Sequence, residues 1–179
     1  MIKKIGLALL AVLVLVVAYA AIQSPNYKVS REITINAPAE KVFPYLNTSK
    51  LADQWGPWKE QDPSVKITFS GSDAGVGSRT SWEGGEKMGQ MGVGSATIVE
   101  SIPNERVLIK IEYVKPMSMV QDSVYLIKAN GTQSVVTWEV TGTNTFMGRL
   151  MCLFVNMDKV VGGMFEKGLG NLKKLVEAQ

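Results

Sequence analysis

The chain has 179 residues, 46% hydrophobic and 20% charged, with a net charge of +3. It contains no histidine and one cysteine, Cys152, which excludes a Ser-His or Cys-His catalytic pair, a Cys/His zinc site and an intramolecular disulfide. The 19 basic residues less Lys3 and Lys4 leave 17 against 16 acidic ones; a domain so nearly neutral has no electrostatic reason to seek nucleic acid.

Chain order begins with an apolar run, Ile5 to Ile22, that carries no charge. As a helix it would extend about 27 Å at 1.5 Å per residue, close to the hydrocarbon thickness of a bilayer. Lys3 and Lys4 precede it, so the expected topology is single-pass, with the N-terminus cytoplasmic and the remainder on the periplasmic or extracellular side. The competing expectation is a signal peptide cleaved near Ala20, after "AYA", which would release a secreted domain. The chain therefore divides into residues 1–26, an anchor or signal with a short linker, and residues 27–179, one domain of ordinary size.

"YKVSREITIN" alternates apolar and polar residues, with Tyr27, Val29, Ile33 and Ile35 on one side, as in a half-buried strand. "APAEKVFPYL" opens a short helix after Asn36, and Pro44 limits its length, so two small helical pieces are expected through about Ala52. "WGPWKEQDP" follows. Its Gly-Pro pair is expected to forbid regular structure between Trp55 and Trp58. Two large aromatics in such a loop must either plug one end of a cavity or anchor the loop in the core.

Strand patterns then repeat: "VKITF", "SRTSW", "VGSATIVE", "RVLIKIEY", "MVQDSVYLIK" and "SVVTWEV". They are joined mostly by short turns, including the hairpin signal Asn130-Gly131, which implies an antiparallel meander. Val136 and Val140 share phase with Trp138, placing that face inward and Glu139 outward. By the same alternation, Trp82 faces inward and Glu83 outward. A catalytic carboxylate at Glu83 or Glu139 would need the reverse register. Asp122 shares phase with Val124 and Leu126; if that face were inward, desolvation would raise its pKa and make it an acid–base candidate. Tyr125 and Ile127 support the opposite register. Tyr113, in phase with Val107, Ile109 and Ile111, could offer one polar contact inside. The Gly-rich run from Gly71 to Ala96 has neither G-x-G-x-x-G nor G-K-[ST], so it reads as turns and bulges, and no cofactor or metal is implied.

From Phe146 to Val176 apolar residues recur at helical spacing, predicting one long helix with N-cap candidates at Thr143 to Thr145. Gly162-Gly163 should mark a kink or a close approach to the sheet. Such a helix needs a large apolar partner, and only the hollow side of the sheet offers one. Met157, Val161, Met164 and Phe165 are therefore expected to border a ligand space opposite Trp82 and Trp138. The methionines suit an adaptable apolar wall, although core filling would use them equally well.

This order of elements resembles the START-like, helix-grip superfamily often labelled SRPBCC, in particular its polyketide cyclase/dehydrase-like branch. The segments that carry the likeness are "REITINAPAEKVFPYL", "WGPWKEQDP", "GVGSRTSWEG", "SVVTWEV" and "FEKGLGNLKKLVE", and together they cover nearly all of residues 27–179. The resemblance implies an α+β fold: a curved antiparallel sheet of about seven strands wrapped on a long C-terminal helix, with two short helices after the first strand. It places Trp55 and Trp58 near the cavity entrance. A single N-terminal hydrophobic segment is common in this branch. Leu51-Ala52 departs from relatives that often carry another Trp there. The implied ligand is a hydrophobic small molecule or lipid, touched by Trp82, Tyr113, Val136, Trp138, Met157, Val161, Met164 and Phe165. The alternatives are an enzyme of cyclase or hydrolase type using Asp122 or Tyr113, and a ligand-free docking module of the cell envelope.

N-terminal sequencing of the mature protein is expected to find Ile5–Ile22 still attached. A mature chain that begins at Ala21 would overturn the anchor.

Overall fold

The computed structural model describes residues 2–85, 87 and 90–179; Glu86, Met88 and Gly89, within the Gly-rich run, lie outside the described residues. Helix α1 (Ile2–Ile22) leaves its apolar side chains uncovered, Leu7 at 70% and Leu15 at 68%. By length and composition it could cross a membrane; a signal sequence passes the same test.

Strands β1 (Asn26–Ile35), β2 (Lys66–Ser70), β3 (Arg79–Glu83), β4 (Val93–Ile102), β5 (Arg106–Lys115), β6 (Met119–Asn130) and β7 (Gln133–Thr143) form one sheet. Its order is β1-β7-β6-β5-β4-β3-β2. Every pairing is antiparallel, so the meander from β2 to β7 is closed by β1 pairing along β7, from Asn26 opposite Thr143 to Ile35 opposite Ser134. Gly131, at φ 63°, makes the β6–β7 turn that the Asn-Gly pair predicts. A register shift between Ile98 and Glu100 in β4 bends the sheet, as bulges do.

Three helices, not two, follow β1: α2 (Ala39–Asn47), α3 (Ser49–Trp55) and α4 (Trp58–Gln61). Extended backbone at Thr48 separates α2 from α3. Gly56-Pro57 does not abolish helix, as the sequence suggests; it separates α3 from a single turn that starts directly after the proline, where a missing N–H costs least.

The C-terminal segment is also two helices where periodicity predicts one. Helix α5 (Phe146–Cys152) and helix α6 (Met157–Glu177) meet at an elbow, residues 153–156. The side chain of Asn156 accepts from the Lys159 amide at 3.0 Å and caps α6, and Thr145 caps α5 from the Gly148 amide at 3.1 Å. One polar residue in an apolar run leaves the helical period intact, so the break is invisible to periodicity. Helix α6 lies along β1 and the adjoining β7 and buries Phe165, Leu169, Leu172 and Val176, one stripe at helical spacing.

No kink occurs at Gly162-Gly163. Gly162 is buried where a Cβ would collide with the guanidinium of Arg31, whereas Gly163 is exposed with nothing near its missing side chain. Arg31 stands on the helix-facing side of β1 and clamps α6. It donates from Nε to Glu166 at 2.7 Å and from Nη1 and Nη2 to the Asp158 carboxylate at 3.1 and 3.0 Å. Asp158 and then Glu166 raise the guanidinium pKa, and Arg31 in turn holds the Asp158 carboxyl below its usual value. Of the two outcomes expected for the glycine pair, the close approach is the one found, and it involves Gly162 alone.

The two glycines should respond oppositely to alanine. Gly163→Ala should stabilise the full chain by up to about 1 kcal/mol through helix propensity. Gly162→Ala should destabilise it by about 1–3 kcal/mol through overpacking against Arg31. Urea unfolding of the detergent-solubilised protein checks both; equal shifts would contradict the clamp.

Candidate functional site

Alternation along the strands and the helical stripe of α6 project side chains into the gap between them. Under the N-terminal half of α6 the gap is not filled, and a cavity of about 440 Å³ remains. Its sheet wall is Val29 from β1, Ile111 and Tyr113 from β5, Met119 and Gln121 from β6, and Trp138 and Val140 from β7. Met157, Val161, Met164 and Phe165 roof it from α6, and Trp58 closes it from α4. Beyond Trp58, Ile111 and Trp138 lies a second chamber of about 80 Å³, shared with those three side chains and extended by Ala52, Ala96, Ile98 and Tyr125. A bulkier residue at Ala52 would fill it, which gives the departure at Leu51-Ala52 a structural consequence.

The lining also carries polar groups: Lys28, Asn144 and Asp158 at its edge, and a cluster of Tyr27, Gln121 and Tyr113. Tyr27 Oη donates to Gln121 Oε1 at 2.6 Å, and Tyr113 lines the same region with its ring edge-on to Trp82 at 5.4 Å. Burial raises the Tyr27 phenol above its ordinary value, with Cys152 adding to the rise. Burial, then the neighbouring Tyr27, pushes Tyr113 up to about 12, with the Gln121 hydrogen bond acting the other way. Both phenols are thus neutral near pH 7 and serve as hydrogen-bond donors, not bases. Asp158 at the cavity edge is held ionised by Arg31.

Of the residues named from sequence, Tyr113, Trp138, Met157, Val161, Met164 and Phe165 converge on this cavity. Trp82 and Val136 face inward and are buried, but neither lines it. Trp82 Nε1 instead donates to the Met91 carbonyl at 3.1 Å, and Val136 belongs to the filled core. Trp58 borders both chambers, while Trp55 is a core anchor, 1% exposed, its Nε1 donating to the Tyr45 carbonyl at 3.0 Å. The placement of Trp55 at the entrance is therefore corrected. Asp122 is exposed on the opposite face, between Lys110 and Thr141 by register, because Ser123, Tyr125 and Ile127 take the inward phase. It cannot reach the cavity. Glu83 faces water, and Glu139 pairs with Lys28 at 2.7 Å on the outer side.

Sequence reasoning missed Tyr27 and Gln121 as site residues, though both were available: Tyr27 from its strand phase, Gln121 from its alternation with Ser123 and Tyr125. It also missed buried Asp62, at the end of "WGPWKEQD". Its carboxylate accepts from the Ser64 hydroxyl and amide at 2.5 and 3.0 Å and from the Gly85 and Met91 amides at 2.9 and 3.3 Å. These bonds, the Ser64 hydroxyl first, lower its pKa and tie the tryptophan segment to the β3–β4 connection. The Asp-Pro-Ser sequence, a turn signal, was the available clue.

The model of the family described as polyketide cyclase / dehydrase and lipid transport matches residues 26–177, and the chain belongs to that family. Among curated proteins none matches. The fold is similar to that of TTHA0849 from Thermus thermophilus, at 20% identity and TM-score 0.61, covering 85% of this chain and 98% of that one. It is similar to MLL2253 from Mesorhizobium loti, at 16% identity and TM-score 0.61, covering 86% and 98%. It is also similar to the di-domain ARO/CYC BexL from the BE-7585A biosynthetic pathway, at 14% identity and TM-score 0.63, covering 89% of this chain and 53% of that one. These likenesses establish the helix-grip fold.

The folded state holds the Tyr113 proton more tightly than the unfolded chain does. Its contribution to stability is therefore complete below the ordinary pKa of 10 and is lost as pH rises through about 12. Tyr113→Phe should lose stability less steeply than the unmodified chain over that window in urea unfolding. Parallel loss in both would show that Tyr113 is not buried as described.

Proposed function

We propose that this chain is a membrane-tethered binding domain that holds a hydrophobic small molecule or lipid between its sheet and its C-terminal helix. The observation that carries the proposal is the partly enclosed cavity under α6, with mainly apolar walls and a polar cluster of Tyr27, Gln121 and Tyr113. Its volume of about 440 Å³ falls in the range of small-molecule sites, which combine apolar walls with a few oriented polar groups. Met119, Met157 and Met164 give those walls an adaptable shape. The polar cluster suits a ligand with a carbonyl, hydroxyl or carboxyl group at one end of an apolar body, since neutral phenols donate to such oxygens.

The lining favours binding over catalysis. Its phenols do not ionise at neutral pH, and its Asp158 carboxylate is occupied by Arg31. Asp122, the other acid–base candidate, is on the far face of the sheet. Helix α1 supports the tether, and Lys3 and Lys4 support a cytoplasmic N-terminus with the domain on the outer side.

Mass spectrometry of molecules retained by the purified full chain, followed by titration with a fluorescent fatty-acid-like probe, tests the proposal. Val161→Phe replaces a small roof residue by a large one and should weaken probe binding about tenfold, equivalent to 1.4 kcal/mol, with an unchanged circular dichroism spectrum. If folded Val161→Phe and the unmodified chain bind alike, the cavity is not the site. If neither binds an apolar probe, the docking-module alternative replaces the carrier.

A further inference from the structure

Helices α5 and α6 are joined by an elbow that the binding reading does not use. No charged residue occurs between Arg149 and Asp158, yet the side chains of this stretch are not buried. Phe154 is 77% exposed and Met147 62%, with Val160 at 53% on the first turn of α6 and Met151 beside them at 45%. Burying one large aromatic or aliphatic side chain is strongly favourable, and several exposed on one short segment mark a surface suited to another apolar phase.

Its position identifies that phase. Arg149 Nη1 donates to the carbonyls of Ala21 at 2.9 Å and Gln23 at 3.1 Å, at the C-terminal end of α1. The same guanidinium lies over the Phe146 ring, 5.6 Å from its centroid. The elbow is thus fixed to the point where the apolar helix leaves the domain. If α1 spans a bilayer, Ala21 to Gln23 lie at its surface, and α5, which leads into the elbow, is bonded to them there. Arg149, held by α1, and Asp158, paired with Arg31, bound the apolar stretch, and Lys159 follows, where it would meet headgroup phosphates. The cavity reaches the same place, for Cys152, Met157 and Asp158 line it.

We propose that the α5–α6 elbow is inserted into the bilayer interface beside α1, so that the mouth of the cavity opens onto lipid and its ligand is exchanged with the membrane directly. The proposal rests on the tethered reading above. It differs from it in assigning a second, independent contact with the membrane to Met147, Met151, Phe154 and Val160.

Cys152, the single cysteine, is exposed and reports on the elbow without a substitution. The full chain is reconstituted in vesicles of phosphatidylcholine and phosphatidylglycerol, with an environment-sensitive fluorophore on Cys152. A parallel sample carries the fluorophore at mid-α1, as Val12→Cys in a Cys152→Ser background. A nitroxide at a shallow acyl position should quench more than half of the Cys152 emission, and aqueous iodide should quench little. A deep nitroxide should quench the Val12 site. Phe154→Asp should return the Cys152 label to water and leave the Val12 label in lipid. If the Val12 site is in lipid but Cys152 is open to iodide, the inserted elbow is wrong and the tether stands. If Cys152 is shielded from iodide but not quenched by lipid, with self-quenching that grows with protein density, a second copy covers the face and the proposal fails. If the Val12 site is not in lipid, the tether fails and the elbow proposal, which rests on it, fails with it.

Discussion

Trp138 projects from the middle of β7 into the space beneath α6, and its indole touches every layer of the domain. It stacks on Phe165 of α6 with centroids 4.1 Å apart and planes 11° from parallel. Trp55, Trp58 and Tyr125 pack around it at 5.5, 5.8 and 5.4 Å, and its Nε1 donates to the buried Ser123 hydroxyl at 3.0 Å. Aromatic pairs of this kind contribute about 0.5–1.5 kcal/mol each beyond the area they bury. The indole fits because α6 carries glycine above it: a Cβ on Gly168 would lie 2.8 Å from Trp138 Cζ3 and 3.3 Å from Pro57 Cδ. Helix, loop and sheet are thus brought together around one side chain whose polar atom is satisfied, as a buried N–H requires.

The cavity adjoins this cluster. At the aromatic cluster and beyond it, Leu169, Leu172 and Val176 bring α6 tightly onto the core. Toward its N-terminus the same helix is held by Arg31 through Asp158 and Glu166. There the Arg31 side chain reaches from β1 to the helix, and Gly162 leaves the guanidinium its place. The carboxylate partners are mostly exposed, so the pairs position the helix more than they stabilise it. Trp58 and Trp138 border both the larger cavity beneath this end of α6 and the smaller chamber beyond it.

The proposed direction of exchange comes from the end of α6 that Arg31 holds. There α6 gives way to the elbow, the elbow to α5, and α5 to Arg149 at the end of α1. The end of α1, α5 and the Cys152 side of the cavity are neighbours in space although α1 and α5 are far apart in sequence. If α1 lies in a bilayer, a carrier built this way would shorten the passage of its ligand through water.

Most of the architecture was legible in the amino-acid order because strand and helix periods are local. Alternation placed Trp82, Val136, Trp138 and Val140 inward, Asn-Gly gave the β6–β7 turn, and the stripe Phe165, Leu169, Leu172 and Val176 gave α6. Where local signals were ambiguous, tertiary packing decided. Asp122 and Tyr125 alternate on one strand, and only the burial of Tyr125 against Trp55 and Trp138 showed which side was interior. The helical period ran unbroken through residues 153–156, and only the cap at Asn156 ended it. Inward phase also does not distinguish a filled core from a cavity wall. Val136 and Trp82 met packed neighbours, and Trp138 met both packing and space, because that outcome depends on which elements the fold brings opposite each side chain. Which faces are apolar can be read from the order of residues alone. Only the folded structure decided where those faces touch and where they stand apart, since a gap belongs to pairs of elements and is written in neither alone.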